Sequence, residues 1–215
     1  MSDRTRRDEL LDAALAECVE HGYSSVGVRE ITTRASVSHG TFYNYFDNRR
    51  QMLDVLLDRE FGRFLAVQDA AVAKVSRPYT EESLRTDIID VTADLIALAF
   101  DQIDVLAFIL LDVPGIDAQA LARQIAFFRE AGQRASVLLE FAVADGLIDE
   151  NVNLEFAQQA WVSCILGVIA PVVAGGNPVG DTREVATILA DSLLYGVPIP
   201  AELSAASRLA SDHVG

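Results

Sequence analysis

Cysteine, histidine, turn-forming residues and positive charge are all scarce in this chain, and each shortage closes off a class of function. Two cysteines, Cys18 and Cys164, build no disulfide framework. Each lies in an apolar helical stripe, where cysteine behaves as a small buried hydrophobe, so a reducing, cytoplasmic setting is expected. The three histidines, His21, His39 and His213, stand apart from any second catalytic residue type. That leaves no Ser/His/Asp or Cys/His arrangement and no phosphate loop, so neither an enzyme nor a cofactor is expected. Glycine (13) and proline (6) are few for 215 residues of which 51% are hydrophobic, which predicts one compact all-α body. Long apolar runs are missing as well: the segment from Ala160 to Ala174 is interrupted by Pro171 and is short for a membrane span, so no membrane is expected. The opening MSDRTRRDELL is too charged for a secretory signal.

The net charge of −15 argues against nucleic acid until it is divided along the chain. Residues 1–50 hold seven Arg against eight Asp or Glu, a net of −1, so the remaining −14 belongs to the rest. An acidic body is held off phosphates and favours docking through the Arg-bearing end.

At that end lies the stretch that organises the chain, VREITTRASVSHGTFYNYF from Val28 to Phe46. Val28, Ile31 and Ala35 share one helical face, Ser36 and Val37 break the pattern, and Ser38 is placed to cap a second helix. In that second helix Phe42 and Phe46 point inward at i, i+4 spacing, leaving His39, Gly40, Thr41, Tyr43, Asn44 and Tyr45 on the other faces. A helix of this kind fits the major groove of B-form DNA.

These residues resemble the helix-turn-helix of the tetracycline-repressor (TetR) family of transcriptional regulators. The match runs through Val28, Arg29, Glu30, Ile31, Ala35, Val37, Ser38, Gly40, Thr41, Tyr43, Tyr45 and Phe46, and conservatively through Arg49 and Met52. It covers about the first quarter of the chain. Three residues depart from the family pattern: Thr32 where Ala is usual, Ser36 where Gly sits in the turn, and Val26 in place of a Thr cap. A buried Thr32 hydroxyl needs a partner, and Ser36 is strained if the turn is left-handed. The resemblance implies that Thr41, Tyr45 and Arg49 contact phosphates, which fixes register. Arg29, Ser38, His39, Gly40, Tyr43 and Asn44 are the candidates at or near base edges. Asn44 suits adenine and Arg29 suits guanine. As cations at a helix start, Arg49 and Arg50 oppose the helix dipole unless an anion lies nearby.

The rest of the chain reads as a series of amphipathic helices. The first runs from about Thr5, with Asp8 in a capping box, to His21, where Gly22 ends it. A long one from Asp47 or Asn48 to about Val75 carries Leu53, Leu57, Phe61, Phe64 and Gln68 on one face and links the reading head to the body. Over residues 81–104 a stripe of aspartates, Asp87, Asp90, Asp94, Asp101 and Asp104, opposes a stripe of aliphatics, which is a solvated face and not a metal site. Thr92 lies on the apolar side, where its hydroxyl must bond either a carbonyl one turn back or a bound molecule. The run VLAFILL from Val105 is expected to stop at Asp112, whose carboxylate is unfavourable at a helix C-terminus without a partner. The next helix, from about Asp117 to Ala144, is expected to pack along Leu121, Ile125, Phe128, Gly132, Ala135, Leu139 and Ala142. Phe127 and Phe128 cannot share that seam, so one of them is expected at a cavity.

The domain organisation read from the sequence is a helix-turn-helix domain at 1–50, a helical effector-binding and dimerisation domain at 51–200, and an unassigned tail at 201–215. Helices at about 153–174 and 182–195 look like the pair that, in the resembled family, makes a four-helix dimer interface. Such a homodimer presents two heads to palindromic double-stranded operator DNA. The family resemblance also implies a repressor released by a small-molecule effector. Phe108, Phe127, Phe128 and Trp161 suggest that the effector is apolar or aromatic, with Thr92 and Asp112 as polar candidates. A different class of function competes with this one: a helical ligand- or partner-binding protein whose head no longer reads DNA.

Overall fold

The computed structural model describes residues 3–196, with side chains from Arg6 onward, so the tail and the expected Thr5 cap lie outside the described residues. Among the described residues every regular element is helical. The elements are α1 (Asp3–His21), a 3-10 turn (Tyr23–Ser25), α2 (Val28–Arg34), α3 (His39–Tyr43), α4 (Arg49–Val72), α5 (Glu81–Asp101), α6 (Ile103–Ala107), a π turn (Phe108–Asp112), α7 (Val113–Ile116), α8 (Ala118–Ala144), α9 (Leu154–Val173) and α10 (Thr182–Tyr195).

Side-chain caps fix most helix starts. Ser38, Asn48, Thr80, Asp117, Asn153 and Asp181 each accept a backbone N–H of the first turn that would otherwise lack a partner. Gly22 and Gly146, both at positive φ, follow the ends of α1 and α8. The head is a three-helix unit closed on Leu10, Leu11, Ile31, Phe42 and Phe46, all at most 1% exposed. Met52 and Leu53 of α4 complete that core, so the head is welded to the helix that leaves it.

In the body, α4 runs alongside α8. Phe61 stacks on Phe127 with centroids 4.3 Å apart. Ion pairs continue the contact along the whole length: Arg50–Asp117 at 2.7 Å, Arg123–Asp58 at 2.9 Å and Arg134–Asp69 at 2.9 Å. Arg50 also pairs with Asp54, so the anion its position at the helix start calls for is present. On the other side α10 lies along α5, joined by Arg85–Asp191 and Arg183–Asp90.

Two expectations are corrected here. The helical path does not stop at Asp112. It passes through a π turn, whose Ile109 carbonyl accepts the buried Gln124 Nε2 at 3.0 Å, and ends only at Asp117. A continuous apolar run carries no periodicity, so the sequence offered no sign of the wider turn. Along the first half of α8 the buried seam is Ala120, Gln124 and Phe127, while Leu121 and Ile125 are 41% and 50% exposed. The small Ala120 and the hydrogen-bonded Gln124 take the inward positions, and the larger aliphatics are turned outward.

Candidate nucleic-acid interface and effector cavity

The turn between α2 and α3 is built by residues that depart from the usual pattern. Ser36 stands at φ 54°, the left-handed region, and is the non-glycine residue with positive φ among the described residues. The turn closes by the Val37 N–H donating to the Thr32 carbonyl at 3.0 Å. Thr32 is buried, and its hydroxyl donates to the carbonyls of Val28 at 2.9 Å and Arg29 at 3.1 Å, which satisfies it. Val26 is buried in the head core. In place of a side-chain cap there, Glu30 reaches back to accept the Gly27 N–H at 3.0 Å. Arg34 ties α2 to α1 through Glu17 at 2.6 Å and through Glu20.

The helix after this turn has its apolar side sealed and its polar side open. Phe42 is fully buried, whereas Arg29, Ser38, His39, Gly40, Tyr43 and Asn44 are all exposed. Thr41 and Tyr45 are half-buried, and the Thr41 hydroxyl is 2.9 Å from that of Ser38. Arg49 is placed differently from its neighbours. Its Nη1 donates to the carbonyls of Tyr23, at 3.1 Å, and Val26, and its guanidinium lies over the Tyr23 ring at 4.2 Å.

In the body, a cavity of about 70 Å³ lies among α4, α5, α8 and α9. Phe64, Phe127, Phe128, Trp161 and Ile165 form much of its wall, so both adjacent phenylalanines reach it. Trp161 is 2% exposed, and its indole donates to the Thr92 hydroxyl at 2.9 Å. Thr92 therefore has its partner on another helix, a third option besides the backbone carbonyl and the bound molecule expected of it. Phe108 is buried in the π turn and is not part of this wall. Asp112 is exposed and faces a separate cleft with Tyr23, Ser24 and Arg49, where the body meets the head. The three polar or charged features not foreseen as site residues are Gln68, whose Nε2 donates to the Ala131 carbonyl beside the cavity, Gln124, and Arg129 on the rim. Only the position of Gln68 in the apolar stripe of α4 hinted at this.

A short helix set by a tight turn across another, with its polar side chains outward, is a helix-turn-helix, and here it sits on a larger all-helical body. The comparisons with known proteins agree. The model for bacterial regulatory proteins of the tetR family matches residues 10–56. The HTH-type transcriptional repressor KstR of Mycolicibacterium smegmatis is 40% identical over 78 residues, 36% of this chain and 38% of that protein, so the match spans well under half of the relative's length. KstR2 of Rhodococcus jostii is 28% identical over 169 residues, covering 74% of this chain and 78% of its own. Among solved structures, FadR from Bacillus subtilis in complex with stearoyl-CoA superposes with a TM-score of 0.73 at 19% identity, over 89% of this chain and 99% of that one, which shows the fold. Residues 10–56 thus match the tetR family of bacterial regulatory proteins, and the body shares the fold of the solved regulators.

Proposed function

We propose that the chain is a ligand-responsive transcriptional repressor that binds palindromic operator DNA as a homodimer and is released by a small apolar or aromatic effector. The observation that carries the DNA-binding part is that Arg29 of α2 and Ser38, His39, Gly40, Tyr43 and Asn44 in and beside the short helix α3 are all exposed, while Phe42 is sealed in the core. Residues 1–50 serve as the reading head, and 51–200 as the effector-binding and dimerisation body. The pairing surface is the outer side of α9 and α10, where Phe156 (69% exposed) and Ile188 (58% exposed) lie open in the single chain. By length and composition α9 would also cross a membrane, and it is the one such helix among the described residues. Its Trp161, Ile165 and Ile169 are buried against the body, which supports subunit pairing as the use of the remaining faces.

The cavity supports the effector part, because its wall is apolar and aromatic and spans the helices that connect the head to the pairing surface. The similarly folded FadR is in complex with stearoyl-CoA, which supports a ligand in this body too. An effector with different affinity for two head spacings, coupled by about 1–3 kcal/mol, changes operator affinity roughly 5- to 150-fold.

The test is fluorescence anisotropy on the DNA flanking the chain's own gene, against a random duplex of equal length. Preference for the flanking DNA is expected. Equal binding to both would leave the protein as a ligand- or partner-binding body with a head that does not read sequence.

A further inference from the structure

Given an effector in the cavity, the reading on which any ligand class rests, one arginine narrows the chemistry of that effector. The body is strongly acidic, and each other arginine between residues 51 and 196 holds a carboxylate at 2.9 Å or less. Arg129, exposed on α8, makes no ion pair and no hydrogen bond to any described residue. It lines a groove of about 750 Å³ between α8 and α9. The apolar cavity lies behind this groove, and the two share Phe128, Val162 and Leu166 as a common wall.

The two spaces are chemically different. The cavity, at about 70 Å³, is smaller than the roughly 300–1,000 Å³ typical of ligand pockets, so a ligand confined to it would be very small. The groove has the missing volume and is lined by polar side chains, among them Gln133, Ser136, Gln158 and Ser163. Two acids also border it. Glu140 accepts the Ser136 hydroxyl at 2.8 Å, and Glu155 lies in the first turn of α9, where the helix dipole favours an anion. Neither has taken Arg129 as a partner. Phe128 is half-buried, adjoins Arg129 in sequence and lines both the apolar space and the groove.

We infer that the effector is an amphiphile with an anionic head, a carboxylate or a phosphate, whose apolar body enters past Phe128 and whose head is held by Arg129 in the groove. A guanidinium recognises both heads through paired N–H donors, and such charge-assisted bonds are stronger than those to a neutral hydroxyl.

Trp161 is the chain's one tryptophan and stands in the cavity wall, so its emission reports occupancy directly. The experiment titrates the full chain, without DNA and below micelle-forming concentrations, with decanoate, decyl phosphate, decanol and decyltrimethylammonium, which share a tail and differ in head. Both anions are expected to bind about tenfold more tightly than decanol, with the cation weakest. Arg129→Gln is expected to abolish the preference and Arg129→Lys to keep most of it. Equal affinities for the four heads in the native chain would overturn the inference whatever the variants do. So would an intact preference in Arg129→Gln, or a change in that variant confined to subunit association, which would make Arg129 a pairing residue. Because no DNA is present, failure of operator binding leaves this answer standing, and failure here leaves the DNA-reading proposal untouched.

Discussion

Trp161 of α9, in the cavity wall, donates its indole N–H to the Thr92 hydroxyl of α5 at 2.9 Å, and both residues are buried. Thr92→Val keeps the shape and removes the acceptor, stranding a buried N–H. A loss of about 1–3 kcal/mol is expected in urea unfolding. Converting Trp161 to Phe in the same background should add less than it does alone, since the orphaned donor goes with it. A Thr92→Val chain as stable as the native one would mean that the bond contributes nothing.

Ser36 occupies the left-handed turn without a glycine's freedom. Ser36→Gly is expected to stabilise the head by roughly 0.5–1 kcal/mol, the strain relieved being partly offset by unfolded-state entropy. Differential scanning calorimetry would register a higher midpoint, and a lower one would show that the Ser side chain contributes more than its backbone costs.

Arg49 separates two ways of helping a head bind DNA. If it contacts phosphate, Arg49→Ala lowers the slope of log affinity against log salt by about 0.9. With its guanidinium held on the Tyr23 and Val26 carbonyls, the expected result is weaker binding to every duplex with the slope unchanged. Asn44→Ala, by contrast, should change which operator is preferred. Anisotropy titrations at several salt concentrations decide between these outcomes.

The two thiols should differ sharply. Burial pushes the Cys18 thiol up to about 12, so it stays protonated and inert in the folded chain at pH 8. Cys164 is exposed on α9 and should react at once in dilute protein, then more slowly as the concentration rises and subunits pair over it. Because the folded value of Cys18 lies above that of a free thiol, its contribution to stability is complete below about pH 8.5 and is lost as pH climbs toward 12. Cys18→Ala should make alkaline unfolding less steep. Thiol-reagent kinetics and urea midpoints across pH check both statements.

Ile188→Glu places a charge on the proposed pairing surface at a site already open in the single chain. Native helix content with a monomer's sedimentation coefficient is expected, together with a large loss of affinity for a full palindrome and little loss for a half-site. A variant that still sediments as a dimer would move the interface elsewhere.

Much of this architecture was legible because the helix ends are chemically explicit. Ser38, Asn153 and Asp181 could be recognised as caps from their position before apolar runs, and Gly22 and Gly146 as stops. Phe42 and Phe46 were legible as inward residues from their spacing, although α3 ends at Tyr43 and Phe46 lies beyond it. The obscure parts depend on neighbours distant in sequence. Nothing local says that Trp161 reaches Thr92, that Arg49 turns back onto the 3-10 turn, or that Gln124 is buried for the sake of the Ile109 carbonyl. The seam of α8 differs from the expected one because hydrophobicity ranks Leu121 and Ile125 above Ala120 and Gln124, while the inward positions are held by a small residue and by a donor to the Ile109 carbonyl.

That π turn has a consequence for how the chain tolerates insertion. A residue added inside an ordinary α-helix rotates everything downstream by about 100°, turning an inward side chain toward water. Across the π turn at Phe108–Asp112, Leu106 before it and Val113 after it both face inward, seven residues apart as in two turns of an ordinary helix, so the phase of the path is kept. Adding or removing a residue at Leu110 would therefore swing Val113 by about 100° from that inward position, so either change is expected to cost the buried contacts of Val113.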